Sequence, residues 1–418
     1  MDIRVILLLV GEGILALLLL QRSGCLAFGR SAIRCALLIA LSLFIRFCFF
    51  DRETTDYQWF LRVWVDFYRS NGGFAALDRA IGNYNIPYLY FLALFSYSTI
   101  RDLYLIKLLS ILFDILLAYA GLVLVKKCTG DRIRALCCFF TLLYLPTVLT
   151  NSSFWGQCDS IYVSLALMGL TAALPGDDGK SRPLLSVVFL ALSFGFKLQA
   201  VFLMPLWLLL WVWRKHRWYW FLAFPVTYFL LVLPAVAAGR PLADAILLYA
   251  GQTESIGTGL NYNAPSLTAL LSNVGNTEIV SRILIFAAFA AMILILLAGI
   301  ALRKGMTPRL FLFFAAEMVL AIPFFLPHMH DRYFYAADVL TVILAWCVWQ
   351  TFPAAVLTQF GSFICYIAYF TGYYQRIGKS NIFLTNDKGA VAVLLSILLI
   401  SFYIFRSVRT VKICEKSS

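Results

Sequence analysis

Asp56 is a carboxylate in a polar stretch, residues 51–85, that separates two apolar runs. Residues 57–69 have aromatic side chains at helical spacing, with Arg62, Asp66 and Arg69 on the opposite face. This pattern predicts an amphipathic helix that lies in the membrane interface. Asp56 precedes that helix, which fits an N-cap. A carboxylate at the mouth of a cavity also suits a general base acting on an acceptor hydroxyl. The two roles are compatible, and both remain open.

A second polar segment, NSSFWGQCDSIY at residues 151–162, lies between two apolar runs. Trp155, Gln157 and Asp159 offer a stacking face, an amide and a carboxylate, all of which suit sugar hydroxyls. The alternative is a tight turn made by Gly156, with the tryptophan as an anchor at the membrane interface. The pattern does not decide between a sugar site and a turn.

Lys197 and Gln199 interrupt a continuous apolar stretch, SFGFKLQAVFLMP. A lysine within such a run is costly, and an ionisable residue inside the membrane is a functional candidate by default. Its side chain can otherwise extend along the apolar surface until the ammonium reaches water. Because the run continues on both sides of Lys197, we favour a buried ammonium that pairs with a lipid phosphate.

The segment PHMHDRYFY, residues 327–335, contains two of the three histidines of the chain. His328, His330 and Asp331 raise the question of a metal, but they have no spaced partner, so no metal site is predicted. A histidine and Arg332 facing a phosphate is the simpler interpretation, because the guanidinium matches phosphate oxygens with a planar fork.

Other ionisable residues lie within apolar runs, and we expect paired structural roles for them. They are Glu12, Arg46, Asp114, Glu317 and Asp338. Lys107 lies seven residues before Asp114 on the same predicted helix face, so Lys107 and Asp114 are the first pair to consider. This spacing is nevertheless too long for a direct i, i+4 pair.

The elements that must position these residues are membrane helices. The chain of 418 residues is 62% hydrophobic and 13% charged, far from the composition of a soluble domain. Its net charge of +13 comes from short basic clusters between apolar runs, as the positive-inside rule predicts. This distribution excludes a nucleic-acid-binding stripe. The ten cysteines show neither metal spacing nor a disulfide framework.

The basic clusters also orient the chain. They lie at residues 22–34, 126–134, 214–217, 303–309 and 406–416, and we place them all in the cytoplasm. An odd number of crossings must then separate residue 85 from residue 126. Residues 86–98, about 13 in number, are too few to cross, so we interpret them as a re-entrant or interfacial segment. The predicted fold is an all-α bundle of about 13 spans with interfacial helices in the first external loop. The predicted spans are 3–20, 32–50, 103–125, 133–150, 159–173, 184–197, 199–213, 218–238, 281–302, 308–326, 333–350, 352–372 and 388–406.

This topology predicts one membrane domain over residues 1–418, with its N-terminus outside and its C-terminus inside. The external loop 51–100 carries the amphipathic and re-entrant helices, and a second external loop covers 239–280. A loop at 373–388 also lies outside. The four polar segments then all face the non-cytoplasmic side, while the cytoplasmic loops are short and basic. This asymmetry favours chemistry at the outer face.

In this order, the four segments resemble motifs of the GT-C superfamily of polyprenyl-phosphate-sugar-dependent glycosyltransferases. The similar branches are the bacterial family related to GPI mannosyltransferase 2 and the dolichyl-phosphate-glucose-dependent glucosyltransferases. TTDYQWFLRVW followed by YNIPYLYFL resembles the first loop of the superfamily, and FWGQCDSIY, FKLQAVFLMP and MHDRYFY resemble its later motifs. The resemblance covers roughly residues 45–340. Asp331 stands where glutamate is commoner, and Ile86 stands where a proline is frequent.

The resemblance implies a role for each matching residue. Asp56 would be the catalytic base, and Lys197, His330 and Arg332 would lie near the donor phosphate. Contacts with the sugar or the acceptor would come from the remaining polar and aromatic residues of the motifs, namely Tyr57, Trp155, Gln157, Asp159, Gln199, His328 and Asp331.

The expected activity is transfer of a hexose, with mannose the first candidate and glucose the second, with inversion. The donor would be a polyprenyl-phosphate sugar, and the acceptor a glycan, a lipid-linked glycan or a protein, with no cofactor and no metal. The expected location is the bacterial inner membrane, with the site facing outward. A transporter or flippase of lipid-linked glycans is the alternative, and a non-catalytic scaffold of the same fold is a third.

Overall fold

The computed structural model describes residues 2–26, 29–176, 179–214, 216–249, 259–271, 275–371 and 385–417. Nearly all of these residues are helical. In chain order, the α-helices are α1 (Ile3–Arg22), α2 (Arg30–Phe47), α3 (Arg62–Ser70), α4 (Ile86–Phe95), α5 (Asp102–Thr129), α6 (Arg132–Leu143), α7 (Pro146–Leu149), α8 (Asp159–Ala173), α9 (Pro183–Phe196), α10 (Pro205–Arg214), α11 (Ala223–Ala237), α12 (Leu242–Ile246), α13 (Thr277–Ala301), α14 (Pro308–Phe325), α15 (Tyr335–Cys347), α16 (Phe352–Phe370) and α17 (Asn386–Ser417). This confirms a helical bundle.

The protein is an integral, multi-pass membrane protein. Seven helices of the described chain are long and apolar enough to cross a bilayer, and the bent pair Arg132–Leu143 and Pro146–Trp155 would make an eighth. A helix also lies at each of the remaining predicted segments, but these are shorter or more charged. The count of about 13 spans therefore stays a prediction. The predicted external loop 373–388 falls largely outside the described residues, as does part of the loop 239–280.

The chain divides into two compact units. Unit 1 comprises Met1–Lys126, Gly130–Ala200 and Tyr219–Ser255. Unit 2 comprises Lys127–Thr129, Val201–Trp218 and Ile256–Ser418. The predicted polar segments around Asp56, Trp155 and Lys197 lie in unit 1, and the segment 327–335 lies in unit 2.

In unit 1, α4 confirms the short helix predicted at 86–98. The Asn85 side chain accepts a hydrogen bond from the Ile86 backbone N–H and so caps its first turn. The helix is largely buried, and it packs against α3, α9 and α11. Gly195 lets α9 approach α11, because a Cβ there would lie 2.5 Å from Leu231 Cδ1. Protein therefore covers α4, as expected of a re-entrant segment, while its depth in the membrane stays a prediction.

Unit 2 contains α10 and α13 to α17. Helix α14 is almost wholly buried and packs against α13, α15 and α17. Gly361 and Gly389 allow close approach of α16 and α17, because a Cβ on either glycine would lie 2.9 Å from the backbone oxygen of the other. Strands Asn261–Tyr262 and Met329–His330 form a short parallel sheet, a departure from the predicted all-α architecture. The sequence shows no strand pattern there, since each strand has only two residues.

Candidate active site

Asp56 lies at the start of the amphipathic helix, in helical conformation with φ −60° and ψ −39°. Its side chain makes no capping hydrogen bond, so the N-cap interpretation is wrong. The turn that follows, Tyr57–Leu61, is π-helical and continues directly into α3. The predicted helix over 57–69 is confirmed. A π-helical turn inside a helix is rare and frequently marks a functional site.

The carboxylate of Asp56 is held by two neutral donors from the second polar segment. Oδ2 accepts hydrogen bonds from Trp155 Nε1 at 3.0 Å and from Gln157 Nε2 at 2.7 Å. The Tyr84 hydroxyl donates to Gln157 Oε1 at 2.9 Å, which fixes the orientation of that amide. Asp56 is half-buried. The result is a carboxylate with a fixed orientation and partial access to its surroundings.

The backbone of the second segment explains why both donors reach Asp56. Thr150–Trp155 is a second π-helical turn, and Gly156 ends it with φ +77°. Glycine adopts this left-handed conformation at little steric cost. The Gln157 N–H then donates to the Asn151 carbonyl at 2.9 Å and closes the turn. The predicted turn at Gly156 is confirmed. The Trp155 ring is only 1% exposed and directs its N–H at Asp56, so it does not act as an anchor in the lipid interface.

Lys197 is buried and forms an ion pair with Asp159. The alternative in which the lysine extends to solvent is therefore wrong. Asn151 Nδ2 donates to the other oxygen of Asp159 at 2.9 Å. Asp159 lies in the first turn of α8 and Lys197 follows the last turn of α9, so each charge is favoured by the dipole of its own helix.

Tyr84 joins the two halves of the site. Its hydroxyl bonds Gln157, and its ring centroid lies 5.9 Å from Lys197 Nζ, within the range of a cation–π contact. The ring of Tyr162 lies 6.0 Å from the same ammonium. A continuous set of contacts therefore runs from Asp56 to Lys197. We call it the Asp56 network, and its members are Asp56, Tyr84, Asn151, Trp155, Gln157, Asp159, Tyr162 and Lys197.

Two other predicted residues of unit 1 have different surroundings. Tyr57 is buried, and its hydroxyl donates to Asp102 Oδ2 at 3.0 Å. Burial and the neighbouring Asp102 carboxylate raise the pKa of Tyr57 well above its ordinary value. This contact ties the start of the amphipathic helix to α5. Gln199 is half-buried in the short 3-10 helix Leu198–Phe202 and takes no part in the Asp56 network. Contact of either residue with sugar or acceptor stays a prediction.

A buried ion pair supports the second segment from α2 and α5. Arg46 donates to Asp114 Oδ2 at 3.0 Å, and the Ser152 hydroxyl donates to the same oxygen at 2.6 Å. The expectation that Arg46 and Asp114 are paired structural residues is confirmed, but the pair considered first, Lys107 with Asp114, does not form. Lys107 Nζ instead donates to the carbonyls of Phe49, Phe50 and Arg52, which follow α2 and precede Asp56. Carbonyl oxygens at the C-terminal end of a helix attract a cation.

The residues of the fourth segment lie together in unit 2. His328 has φ +61° and is held by the Gly259 carbonyl at 2.7 Å and by the Ser281 hydroxyl at 3.0 Å. His330 is exposed and stacks on Tyr262, with ring centroids 4.8 Å apart.

Asp331 and Arg332 continue this cluster. Asp331 accepts a hydrogen bond from Asn263 Nδ2 at 3.4 Å, and Arg332 Nε lies 3.9 Å from Asp331 Oδ1. Among the described residues, no group of three or more histidine, cysteine, aspartate or glutamate side chains could hold a metal.

Sequence reasoning missed three residues of unit 1 that hold the site, namely Tyr84, Asn151 and Thr54. Thr54 Oγ1 donates to the Trp155 carbonyl at 3.1 Å. Asn151 lies within the polar segment that the sequence marks, so the segment itself was the available signal. Tyr84 and Thr54 lie in a long loop, where no periodic pattern indicates which side chains turn inward. No protein-family model and no curated protein matches the chain.

Proposed function

We propose that this protein is a membrane glycosyltransferase that moves a hexose from a polyprenyl-phosphate carrier to an acceptor hydroxyl at the non-cytoplasmic face. Mannose is the first candidate sugar and glucose the second. The observation that carries the proposal is the half-buried carboxylate of Asp56, oriented by Trp155 and Gln157. The ordered motifs that resemble the GT-C superfamily support the same reaction class.

Asp56 is the general base of this reaction. A catalytic base must reach the proton that it abstracts, so its position matters before its basicity does. Two hydrogen bonds on one oxygen fix the plane of the carboxylate. Both donors are neutral side chains, so they orient the carboxylate without adding a positive charge beside it.

The proposed chemistry is a single displacement. The acceptor oxygen forms a bond to the anomeric carbon while its proton moves to Asp56. The bond from the anomeric carbon to the phosphate oxygen breaks, and the polyprenyl phosphate leaves with the electron pair. The anomeric configuration therefore inverts. A phosphate is already a good leaving group, so the reaction needs cationic stabilisation of the leaving oxygen more than it needs a metal.

In this proposal Lys197 lies near the donor phosphate, and Asp159 shapes the sugar side of the site. The ammonium already neutralises Asp159, so it contributes a positive charge only if a donor phosphate competes with that carboxylate. His330 and Arg332 are proposed as further contacts of the donor phosphate. Tyr57, Trp155, Gln157, Gln199, His328 and Asp331 are proposed for the sugar and acceptor.

We further propose that the protein lies in the bacterial inner membrane with about 13 spans and an outward-facing site. Helices at the predicted segments support the count, and the basic loops support the orientation. The acceptor class remains a glycan, a lipid-linked glycan or a protein.

Proteoliposomes containing the protein test the transferase against a transporter of lipid-linked glycans. The probes are polyprenyl-phosphate mannose and polyprenyl-phosphate glucose, each labelled in the sugar, with native membrane extract as the source of acceptor. We expect label in a new glycosidic product and release of an equal amount of polyprenyl phosphate. A transporter would move the labelled donor between leaflets with its sugar–phosphate bond intact. That outcome, or no consumption of either donor, contradicts the proposal.

A further inference from the structure

Arg240 is a buried guanidinium that no anion of the described chain neutralises. It follows α11 directly after Gly239, which has φ +115°. The residue is 4% exposed, and its Nε and Nη1 atoms are covered and without a hydrogen-bond partner among the described residues. A buried charge without a partner is one of the most destabilising arrangements in a protein. An anionic ligand bound beside the guanidinium would remove this cost.

Two other arginines of unit 1, Arg46 and Arg79, have guanidinium groups that donate hydrogen bonds to described residues. Arg46 is more deeply buried than Arg240, and Asp114, Ser42 and the Leu143 carbonyl accept its hydrogen bonds. Arg79 is exposed and donates to Asp78 at 3.3 Å and to Asn71 at 3.1 Å. Arg240 makes no contact of either kind within the described residues.

The surroundings of Arg240 supply a second donor that is also unpartnered. Tyr68 of α3 is fully buried, and its hydroxyl has no hydrogen-bond partner in the described chain. Burial raises the pKa of Tyr68 to about 12, while the positive charge of Arg240 opposes that shift. The phenol therefore stays protonated at neutral pH and can donate a hydrogen bond. Its element, α3, packs against the 3-10 helix Gly73–Asp78, which also contacts α11.

Two other polar side chains near Arg240, Tyr90 and Asp78, already have hydrogen-bond partners. The Tyr90 hydroxyl donates to the Leu231 carbonyl at 2.7 Å and accepts from the Ala235 N–H at 3.3 Å. Asp78 lies next to Gly239, since a Cβ on that glycine would be 3.5 Å from Asp78 Cβ. Its carboxylate, however, accepts the hydrogen bond of Arg79. The Arg240 guanidinium and the Tyr68 hydroxyl, in contrast, have buried donor atoms without a partner in the described chain.

We propose that Arg240 and Tyr68 form a binding site for a phosphate group, either that of a lipid headgroup or a free phosphate. A guanidinium presents planar N–H donors that match phosphate oxygens, and the phenol adds a neutral donor. The amphipathic face of α3 is predicted to lie at the membrane interface, the depth at which lipid phosphates occur. Neither residue belongs to the Asp56 network, so the site is additional to the proposed transferase centre and does not depend on it.

Direct binding to the full-length protein in an uncharged detergent tests the site. The first probe is radiolabelled inorganic phosphate in equilibrium dialysis. The second is phosphatidic acid, measured by native mass spectrometry against diacylglycerol, which has the same chains but no phosphate. The variants are Arg240→Gln and the matched control Arg79→Gln, with folding checked by circular dichroism and gel filtration.

We expect the wild-type protein to bind at least one phosphate probe saturably. Arg240→Gln should weaken that binding about tenfold or more, as expected for hydrogen bonds to a charged group. Arg79→Gln should leave the affinity within about twofold, because this exposed arginine already has partners. Retention of phosphatidic acid alone identifies a lipid headgroup as the source, and retention of inorganic phosphate identifies a free ligand.

The Tyr68→Phe variant is a second test, because it keeps the buried charge of Arg240 and removes only one hydroxyl group. We expect about a threefold to tenfold loss of affinity from this neutral donor. If the Arg240→Gln variant does not fold, the affinity of the Tyr68→Phe variant tests the proposal instead. Unchanged affinity in Tyr68→Phe, or equal binding of both probes by wild type and Arg240→Gln, overturns the proposal. Absence of any binding to the wild-type protein overturns it as well.

Discussion

Asp56 and Asp114 both accept hydrogen bonds from the same polar segment, yet their surroundings differ. Asp114 is fully buried and is bound by the charged Arg46 and by Ser152. Asp56 is half-buried and is bound by the neutral side chains of Trp155 and Gln157. One carboxylate is enclosed by its counter-ion, while the other is oriented but remains partly accessible.

The difference separates a folding role from a chemical one. A carboxylate enclosed with an arginine contributes to stability as long as both partners are present. A base must instead meet a substrate hydroxyl, which requires fixed geometry and access. We therefore expect substitutions around Asp114 to change the free energy of unfolding, and a substitution of Asp56 to change the rate of sugar transfer.

Arg46→Met should cause the largest loss of stability. It leaves the Asp114 carboxylate buried without its counter-ion, which costs about 3–5 kcal/mol. Reversible unfolding in mixed detergent micelles measures this change. The double variant Arg46→Met/Asp114→Leu removes both charges and should recover most of the loss. A loss below about 1 kcal/mol in the single variant would show that this pair does not hold the segment.

Lys197→Met should have the next largest effect, about 2–4 kcal/mol, because it leaves Asp159 buried without its ammonium. The Asn151 hydrogen bond remains and moderates the loss. The double variant Lys197→Met/Asp159→Asn should restore stability, and transfer can then be measured on folded protein. A raised KM for the donor in that variant supports a contact of the Lys197–Asp159 pair with the donor. Wild-type kinetics would assign both residues of the pair a structural role only.

Gly156→Ala should destabilise the protein by about 1–2 kcal/mol, because an L-residue is strained at φ +77°. Space is not the reason, since the added Cβ would meet Ile106 and Lys107 at an ordinary 3.9 Å. Transfer should also slow, because Trp155 and Gln157 flank the altered turn.

Gly130→Ala provides the matched control at φ +70°, with no neighbouring atom within 4 Å of the added Cβ. It should lose similar stability without loss of transfer. If the Gly156→Ala and Gly130→Ala variants transfer sugar at equal rates, the conformation of the turn at Gly156 does not affect the reaction.

Sequence patterns predicted the helices better than the contacts between them. Apolar length alone located most helices, and the charged and polar side chains of Lys197 and Gln199 indicated the break between α9 and the next helix. The partner of Lys197 is Asp159, 38 residues away, and the partner of Arg46 is Asp114, 68 residues away. Local periodicity in the sequence does not predict such pairings, because they depend on how the helices pack.

For the candidate active site too, the sequence indicates the segments but not the contacts between them. The sequence marked the segments of Asp56 and Trp155, since polar residues between apolar runs are conspicuous. It did not indicate the π-helical turns or the hydrogen bond between the two residues. An N-cap was a reasonable expectation from position alone, because an aspartate before a helix commonly caps it. The tertiary contact with Trp155 and Gln157 replaced that local option.

The most direct test is the rate of sugar transfer by Asp56→Asn in protein shown to be folded. The amide oxygen can still accept from Trp155 and Gln157, so the free energy of unfolding should change by about 1 kcal/mol or less. Loss of the base should lower transfer by about 10²- to 10⁴-fold.

Asp66→Asn is the matched control, because Asp66 lies on the exposed face of the same helix and pairs only with Arg62 and Arg69 among the charged residues described. We expect this variant to transfer sugar at nearly the wild-type rate. If Asp56→Asn transfers sugar as fast as Asp66→Asn, Asp56 is not the base, and the central claim is contradicted.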